Sequence, residues 1–207
     1  MQAFKWSEKL NKSLPLRVIC YGDSITWGFD AHSGRQVAAP YPATLSATLK
    51  RAFPNPDLHV LNRGHNGWTS ETALFHVQTE VLDSKPDLCI LMFGLNDAFQ
   101  VIPADHLAAN LQQLGRTILV ESELIIMGLT PTSEAFDGIL RPYEACIEAV
   151  AQELTCPYLC ISERLLQSTS FATLAREEWI PDGAHFLGAG YEKIGKLVGQ
   201  FLLGKNV

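Results

Sequence analysis

The stretch Arg17-Val-Ile-Cys-Tyr-Gly-Asp-Ser-Ile-Thr-Trp-Gly28 decides the fold. Val18 to Tyr21 is a short apolar run of the kind that forms a strand buried on both faces. Gly22 breaks the run, and Asp23 and Ser24 follow at once with polar side chains. A serine just beyond a buried strand is held by a rigid element and faces a crevice, which is where an open α/β sheet places its chemistry. Alone, Gly-Asp-Ser is also a common turn. Its weight depends on whether the rest of the chain sends partners to Ser24.

Working outward, a loop rich in Gly, Ala and Pro covers residues 30–42. A helix is predicted over residues 41–53, with Leu45, Leu49 and Ala52 at helical spacing, ended by Pro54 and Pro56. A second strand spans 58–61, and residues 62–67 form a loop with two glycines. Thr69 caps a helix that runs to about residue 82 and stops before Lys85-Pro86. Residues 87–93 (DLCILMF) are the most apolar strand, broken at Gly94-Leu-Asn-Asp97. A helix over 103–119, a strand over 124–129, a helix over 141–154 and a strand over 158–161 follow. Residues 165–180 read as irregular or short-helical, and 187–203 as an amphipathic helix. Strands alternating with helices at this spacing predict an α/β fold: a parallel sheet covered on both faces, forming a single domain over residues 1–207.

Composition narrows the partners. A net charge of −6 on 207 residues makes nucleic acid or an anionic membrane an unsuitable partner. Residues 1–15 carry scattered charges and no apolar run of signal-peptide length, and no segment is long enough to span a bilayer. Of the five cysteines, Cys20 and Cys89 fall in strands, Cys146 on a helix, and Cys156 and Cys160 around the last strand. An odd count so distributed suits buried free thiols in a reducing cytosol, so the expected location is cytoplasmic. No Cys/His cluster has zinc-ligand spacing, and no metal or cofactor is expected. A homo-oligomer is left open.

The distinctive polar residues sit in loops that follow the strands. Ser24 follows the first, Gly67 the second and Asn96 the third, and Asp182 with His185 comes after the fifth. In a parallel sheet those loops share one edge, so residues distant in sequence converge there. A serine hydroxyl is a poor nucleophile until a base takes its proton. Of the six histidines, only His185 has a carboxylate three residues away in a Gly-containing turn, Asp182-Gly-Ala-His185. That spacing lets one short loop present both side chains, the carboxylate fixing the imidazole's tautomer. Acyl transfer also needs donors aimed at a developing oxyanion. Asn96 can give a side-chain NH2, and Gly67 and Ser24 their backbone N–H groups.

Four blocks in order carry a resemblance that spans nearly the whole chain: Gly22-Asp-Ser-Ile-Thr-Trp-Gly28, Asn62-Arg-Gly-His-Asn-Gly67, Gly94-Leu-Asn-Asp97 and Asp182-Gly-Ala-His185. The chain resembles the SGNH (GDSL-type) hydrolase family, with Ile25 where leucine is usual. The resemblance implies a flavodoxin-like three-layer α/β/α sandwich, with five parallel strands in the order 2-1-3-4-5. It implies Ser24 as nucleophile, His185 as base, Asp182 as orienting acid, and Gly67 and Asn96 as completing the oxyanion hole. Gly64 is a rival donor in the second block; Gly67 fits the family's spacing better. The expected activity is serine ester hydrolysis, with a small-molecule ester as partner and thioesterase or acyl transfer as variants of the same site. Trp27 is similar to the residue found after the serine in arylesterase-like and acyltransferase-like members.

Trp27, Trp68 and Trp179 flank the blocks, and each suits either a pocket wall or the core; Trp27 and Trp68 are the candidates for substrate contact. Two other classes compete. Asp23, Asp97 and Asp182 at strand ends would suit Mg²⁺ in a phosphoryl-transfer enzyme. That reading lacks a phosphate-binding glycine loop with a lysine and leaves Ser24 and His185 unexplained. A non-catalytic binding module would not need an intact set of catalytic residue types. With no long apolar insertion available as a lid, the expected substrates carry short acyl groups, acetyl to butyryl.

Overall fold

A computed structural model of the protein describes residues 5–168, 171 and 174–204. Five strands, β1 (Leu16–Gly22), β2 (Leu58–Gly64), β3 (Leu88–Met92), β4 (Glu123–Met127) and β5 (Tyr158–Leu159), form one sheet in the order β2-β1-β3-β4-β5. Every neighbouring pair is parallel. The helices are α1 (Lys5–Asn11), α2 (Ser24–Trp27), α3 (Tyr41–Ala52), α4 (Ser70–Glu80), α5 (Leu95–Phe99), α6 (Ala104–Leu119), α7 (Asp137–Glu153), α8 (Ile161–Leu166), α9 (Arg176–Trp179) and α10 (Gly188–Leu202). Helix α10 packs on α3 and α8, while α6 packs on α4 and α7. The general preference of parallel strands for right-handed crossovers accounts for this division. The chain steps from β1 outward to β2 through α3, then doubles back to β3 through α4, so the two crossovers cover opposite faces. The expected three-layer sandwich and strand order are the ones observed.

The central strands owe their place to composition. All five residues of β3 are buried, and in β1 only Arg17 is exposed, as strands covered on both faces require. Helix α1 closes the sheet's amino-terminal edge, where the backbone N–H groups of Lys5 and Trp6 donate to the Glu123 carboxylate at 2.9 and 2.7 Å. No described helix is long and apolar enough to cross a membrane.

Several boundaries differ from expectation for identifiable reasons. Strand β2 runs three residues past Leu61, because Asn62, Arg63 and Gly64 pair with Cys20, Tyr21 and Gly22. The one-turn helices α2 and α5, and α1, lie where the sequence reads as loop or tail; they are too short for periodicity to declare them. Of the stretch 165–180, residues 169, 170, 172 and 173 lie outside the described residues, as do 1–4 and 205–207 of the predicted domain.

Helix α7 begins at Asp137, one turn before the expected start at Arg141. Pro142 would suit the first turn of a helix. It lies inside the helix instead, and its missing N–H denies a partner to the Gly138 carbonyl. Gly138 and Pro142 are both exposed, so water reaches that carbonyl. An interior proline costs about 3 kcal/mol, and the freedom alanine adds to the unfolded chain offsets about 0.4–1 kcal/mol. The first effect wins. Pro142→Ala is therefore expected to raise stability by about 2 kcal/mol in urea unfolding, and a loss of stability would mean that the ring's own contacts outweigh the restored hydrogen bond.

Candidate active site

The strand order reverses between β1 and β3, and the crevice at such a switch point, outside the carboxyl ends of the strands, is where this architecture binds ligands. Gly22 at the end of β1 pairs with Gly64 of β2 and Met92 of β3, so three chain segments leave the sheet at one level. Asp23 accepts from the Ile25 N–H at 2.9 Å and so caps α2, which makes Ser24 the first residue of a single helical turn. Gly28 closes the turn in the left-handed region, at φ 93°.

The structure brings Ser24, His185 and Asp182 together. Ser24 Oγ lies 2.8 Å from His185 Nε2, and His185 Nδ1 lies 2.8 Å from Asp182 Oδ2. The other Asp182 oxygen accepts from the backbone N–H groups of His185 (2.7 Å) and Ala184 (3.0 Å), so the acid and the imidazole are fixed by the same tight turn. Partial burial alone would raise the Asp182 carboxyl, but these donors outweigh it and hold the pKa below the ordinary aspartate value. The turn is docked from two sides. Ser133 N–H donates to the Gly183 carbonyl, and the Phe29 ring packs on the imidazole with ring centres 4.5 Å apart. Phe29 is in turn anchored by the Tyr191 hydroxyl of α10, which donates to its carbonyl at 2.6 Å. Sequence reasoning passed over Phe29, and the partner that places it is 162 residues away, beyond any local signal.

Asn96 sits at the start of α5, and its Nδ2 donates one hydrogen to the Trp68 carbonyl at 2.9 Å, leaving the second free. The two candidate glycines differ in their roles. The Gly64 N–H is already taken by Asn62 Oδ1 at 2.9 Å, and a Cβ there would come within 2.0 Å of Trp27 N, so Gly64 serves the close approach of β2 to the turn that carries Ser24. Gly67 stands in the left-handed region, at φ 76°, with open space around its Cα. The tryptophans also separate. Trp179 is buried and stacks on Phe171. Trp68 has His65 and His76 stacked on its indole, at 3.8 and 4.8 Å between ring centres, so its ring is committed to the protein rather than offered as a flat surface. Trp27 is half-buried beside Phe29.

The three acids that a metal site would need are engaged one by one: Asp23 with Ile25, Asp97 with Ser70 and Asp182 with His185. Among the described residues, no group of three or more His, Cys, Asp or Glu side chains could hold an ion. What the arrangement can do is relay a proton from a hydroxyl to an imidazole and present N–H donors beside it.

Comparison with known proteins agrees with this architecture. The model of the GDSL-like lipase/acylhydrolase family matches residues 20–193. The chain belongs to that family, and with it to the carboxylic ester hydrolases. The lipase/acylhydrolase from Enterococcus faecalis superposes with a TM-score of 0.77 at 23% identity, covering 91% of this chain and 96% of that one. Axe2, an acetylxylan esterase from Geobacillus stearothermophilus, superposes with a TM-score of 0.77 at 20% identity, covering 92% and 95%. Likeness at these identities shows the shared fold. An uncharacterized lipoprotein of Bacillus subtilis (strain 168), YqeF, is 37% identical over 81 residues, which is 39% of this chain and 32% of that protein. The chain thus spans about a third of that relative's length.

Asp23 generates a test of the site's electrostatics. Its side chain is buried, and burial pushes the carboxyl up to about 7 against the hydrogen bond from Ile25, with the nearby Asp97 charge adding to the rise. A carboxyl raised in the folded state binds its proton there while the unfolded chain has already lost it. Its contribution to stability is therefore greatest below about pH 4 and declines as the pH climbs to about 7. Asp23→Asn keeps an oxygen for the Ile25 N–H and does not titrate. Relative to this variant, the wild type should lose stability on the order of 2–4 kcal/mol between pH 4 and pH 7.5 in urea unfolding. A constant difference across that range would show that Asp23 titrates as an ordinary surface acid.

Proposed function

We propose that the protein hydrolyses short-chain acyl esters through an acyl-enzyme on Ser24. The observation that carries this reading is the unbroken chain from Ser24 Oγ through His185 to Asp182, with both links at 2.8 Å. In the proposed reaction His185 Nε2 takes the Ser24 proton as Oγ attacks the ester carbonyl. The oxyanion is met by the Ser24 and Gly67 N–H groups and the free Asn96 Nδ2 hydrogen. The imidazolium, stabilised by Asp182, then protonates the departing alcohol, and the same base activates water to release the acid. A thioester or an acceptor alcohol in place of water would use the same groups. The small-acyl preference draws support from the Phe29 ring packed on the catalytic imidazole and from the absence of a long apolar insertion in the sequence. The name of Axe2, an acetylxylan esterase, is consistent with an acetyl group on a sugar alcohol. The five free thiols fit a reducing compartment, and we place the enzyme in the cytosol; cell fractionation with a tagged chain tests this, and recovery with the membranes would overturn it.

Ser24→Ala should lose on the order of 10⁶ in kcat. It should also no longer take up a fluorophosphonate label, and retention of more than a few per cent of the activity would refute the acyl-enzyme. Across p-nitrophenyl esters from C2 to C12, kcat/KM should peak at C2–C4. Each methylene accommodated in an apolar groove adds up to about 0.8 kcal/mol, so an open groove would instead show a steady rise, and a maximum at C8 or beyond would sink the short-acyl claim.

A further inference from the structure

Asp97 is fully buried, and its carboxylate has no role in the relay described above. A buried carboxylate is costly unless donors surround it, and here Ser70 supplies the principal ones, with the residue's own backbone N–H adding to them. Ser70 N–H reaches both oxygens, at 3.2 and 3.1 Å, and Ser70 Oγ donates to Oδ1 at 2.5 Å. Asn110 Nδ2 on α6 donates to Ser70 Oγ at 2.9 Å and so directs the hydroxyl proton toward Asp97. Among the described residues no Lys or Arg forms an ion pair with Asp97. Nor is Asp97 the ordinary cap of α4, because Thr69 already accepts from the Thr72 N–H. A carboxylate has been brought from α5 to the first residue of α4, where the helix's positive end favours it.

Its neighbour makes the matching contact. Asn96 holds the Trp68 carbonyl and Asp97 holds the Ser70 N–H, so two consecutive residues of α5 grip two residues of the turn that follows Gly67. We propose that Asp97 is a positioning residue, which through Ser70 locks the turn carrying Gly67 to the helix carrying Asn96 and so holds two oxyanion donors in one rigid frame. This rests on the reading of Asn96 and Gly67 as oxyanion donors. The two donors lie in separate segments, and preorganised donors lose much of their effect when displaced by even 1 Å. A carboxylate suits the task better than a neutral acceptor, because its two oxygens take the N–H and the hydroxyl together.

The test is a double-mutant cycle on the full chain with a p-nitrophenyl ester, circular dichroism and urea unfolding reporting the folded fraction. Asp97→Ala should lower kcat of the folded enzyme roughly 10–100-fold with KM within about threefold, since the oxyanion exists only in the transition state. Asp97→Asn, which keeps one acceptor for the Ser70 N–H, should recover most of that loss. In an Asn96→Ala background Asp97→Ala should cost less than about threefold more, because the frame it supports has already lost its donor. Losses that multiply, or an unchanged kcat in folded Asp97→Ala, would overturn the proposal and leave Asp97 a purely structural anchor. Should Asp97→Ala not fold, Ser70→Ala takes its place in the cycle, expected to lower kcat about 2–5-fold and to add nothing to Asn96→Ala. Losses that multiply there overturn the proposal equally. An unchanged kcat in Asn96→Ala alone would refute the oxyanion reading itself, a result distinct from failure of the clamp.

Discussion

Parallel pairing of β1 with both of its neighbours is the constraint on which the rest depends. Gly22 lies opposite Gly64 on one side and Met92 on the other, so the three strands end at the same height. Parallel ladders have evenly spaced bonds and a side-chain period of two, and a slip by one residue would turn each strand's buried faces over. Register therefore fixes more than the core. It sets Ser24 two residues beyond β1 and Asn96 four beyond β3, at a common edge, before any side-chain contact between them forms. The fit is close enough that β2 approaches the Ser24 turn only because residue 64 has no side chain. His185 arrives by a different route, on a turn docked through Ser133, Phe29 and the helix that supplies Tyr191.

The same acid chemistry appears three times around this edge with three outcomes. Asp182, partly exposed, is held ionised by backbone donors and faces an imidazole. Asp23, buried within the nucleophile turn, is pushed toward neutrality and acts as a helix cap. Asp97, equally buried, is raised by desolvation and drawn back by Ser70. Environment, not residue type, separates a group that faces an imidazole from two that shape the backbone beside it.

Much of this was legible in the sequence because it is encoded locally. Apolar runs ended by glycine or proline reported the strands, and the alternation with helices reported a parallel sheet. The polar residues just past those strands were found because a parallel sheet leaves them no other edge. What escaped was set by distant contacts. Strand β2 continues into the second block because β1 is there to pair with it, and no pattern in Asn62-Arg63-Gly64 announces that. The ring of Trp68 is occupied by His65 and His76, one of them on a helix that sequence reading places correctly but cannot orient. Phe29 reads as an ordinary loop aromatic until Tyr191 is seen holding its carbonyl. Helix α7 starts one turn earlier than expected, with Pro142 inside it.

The proposed base and its orienting acid lie at residues 182–185, after the last strand ends at Leu159. A ribosome delivers the chain from its amino end at about 5–20 residues per second, so the proposed nucleophile is made many seconds before the histidine that would activate it. On the proposed mechanism all five strands can be in place while Ser24 remains an ordinary hydroxyl. Its reactivity would then wait for the turn that carries His185, which packs against Phe29. A chain cut short before residue 182 would retain the sheet's sequence and the serine but lack the proposed base and its acid. On the proposed mechanism, the order of the residues along the chain thus keeps the serine unpartnered until synthesis is nearly complete.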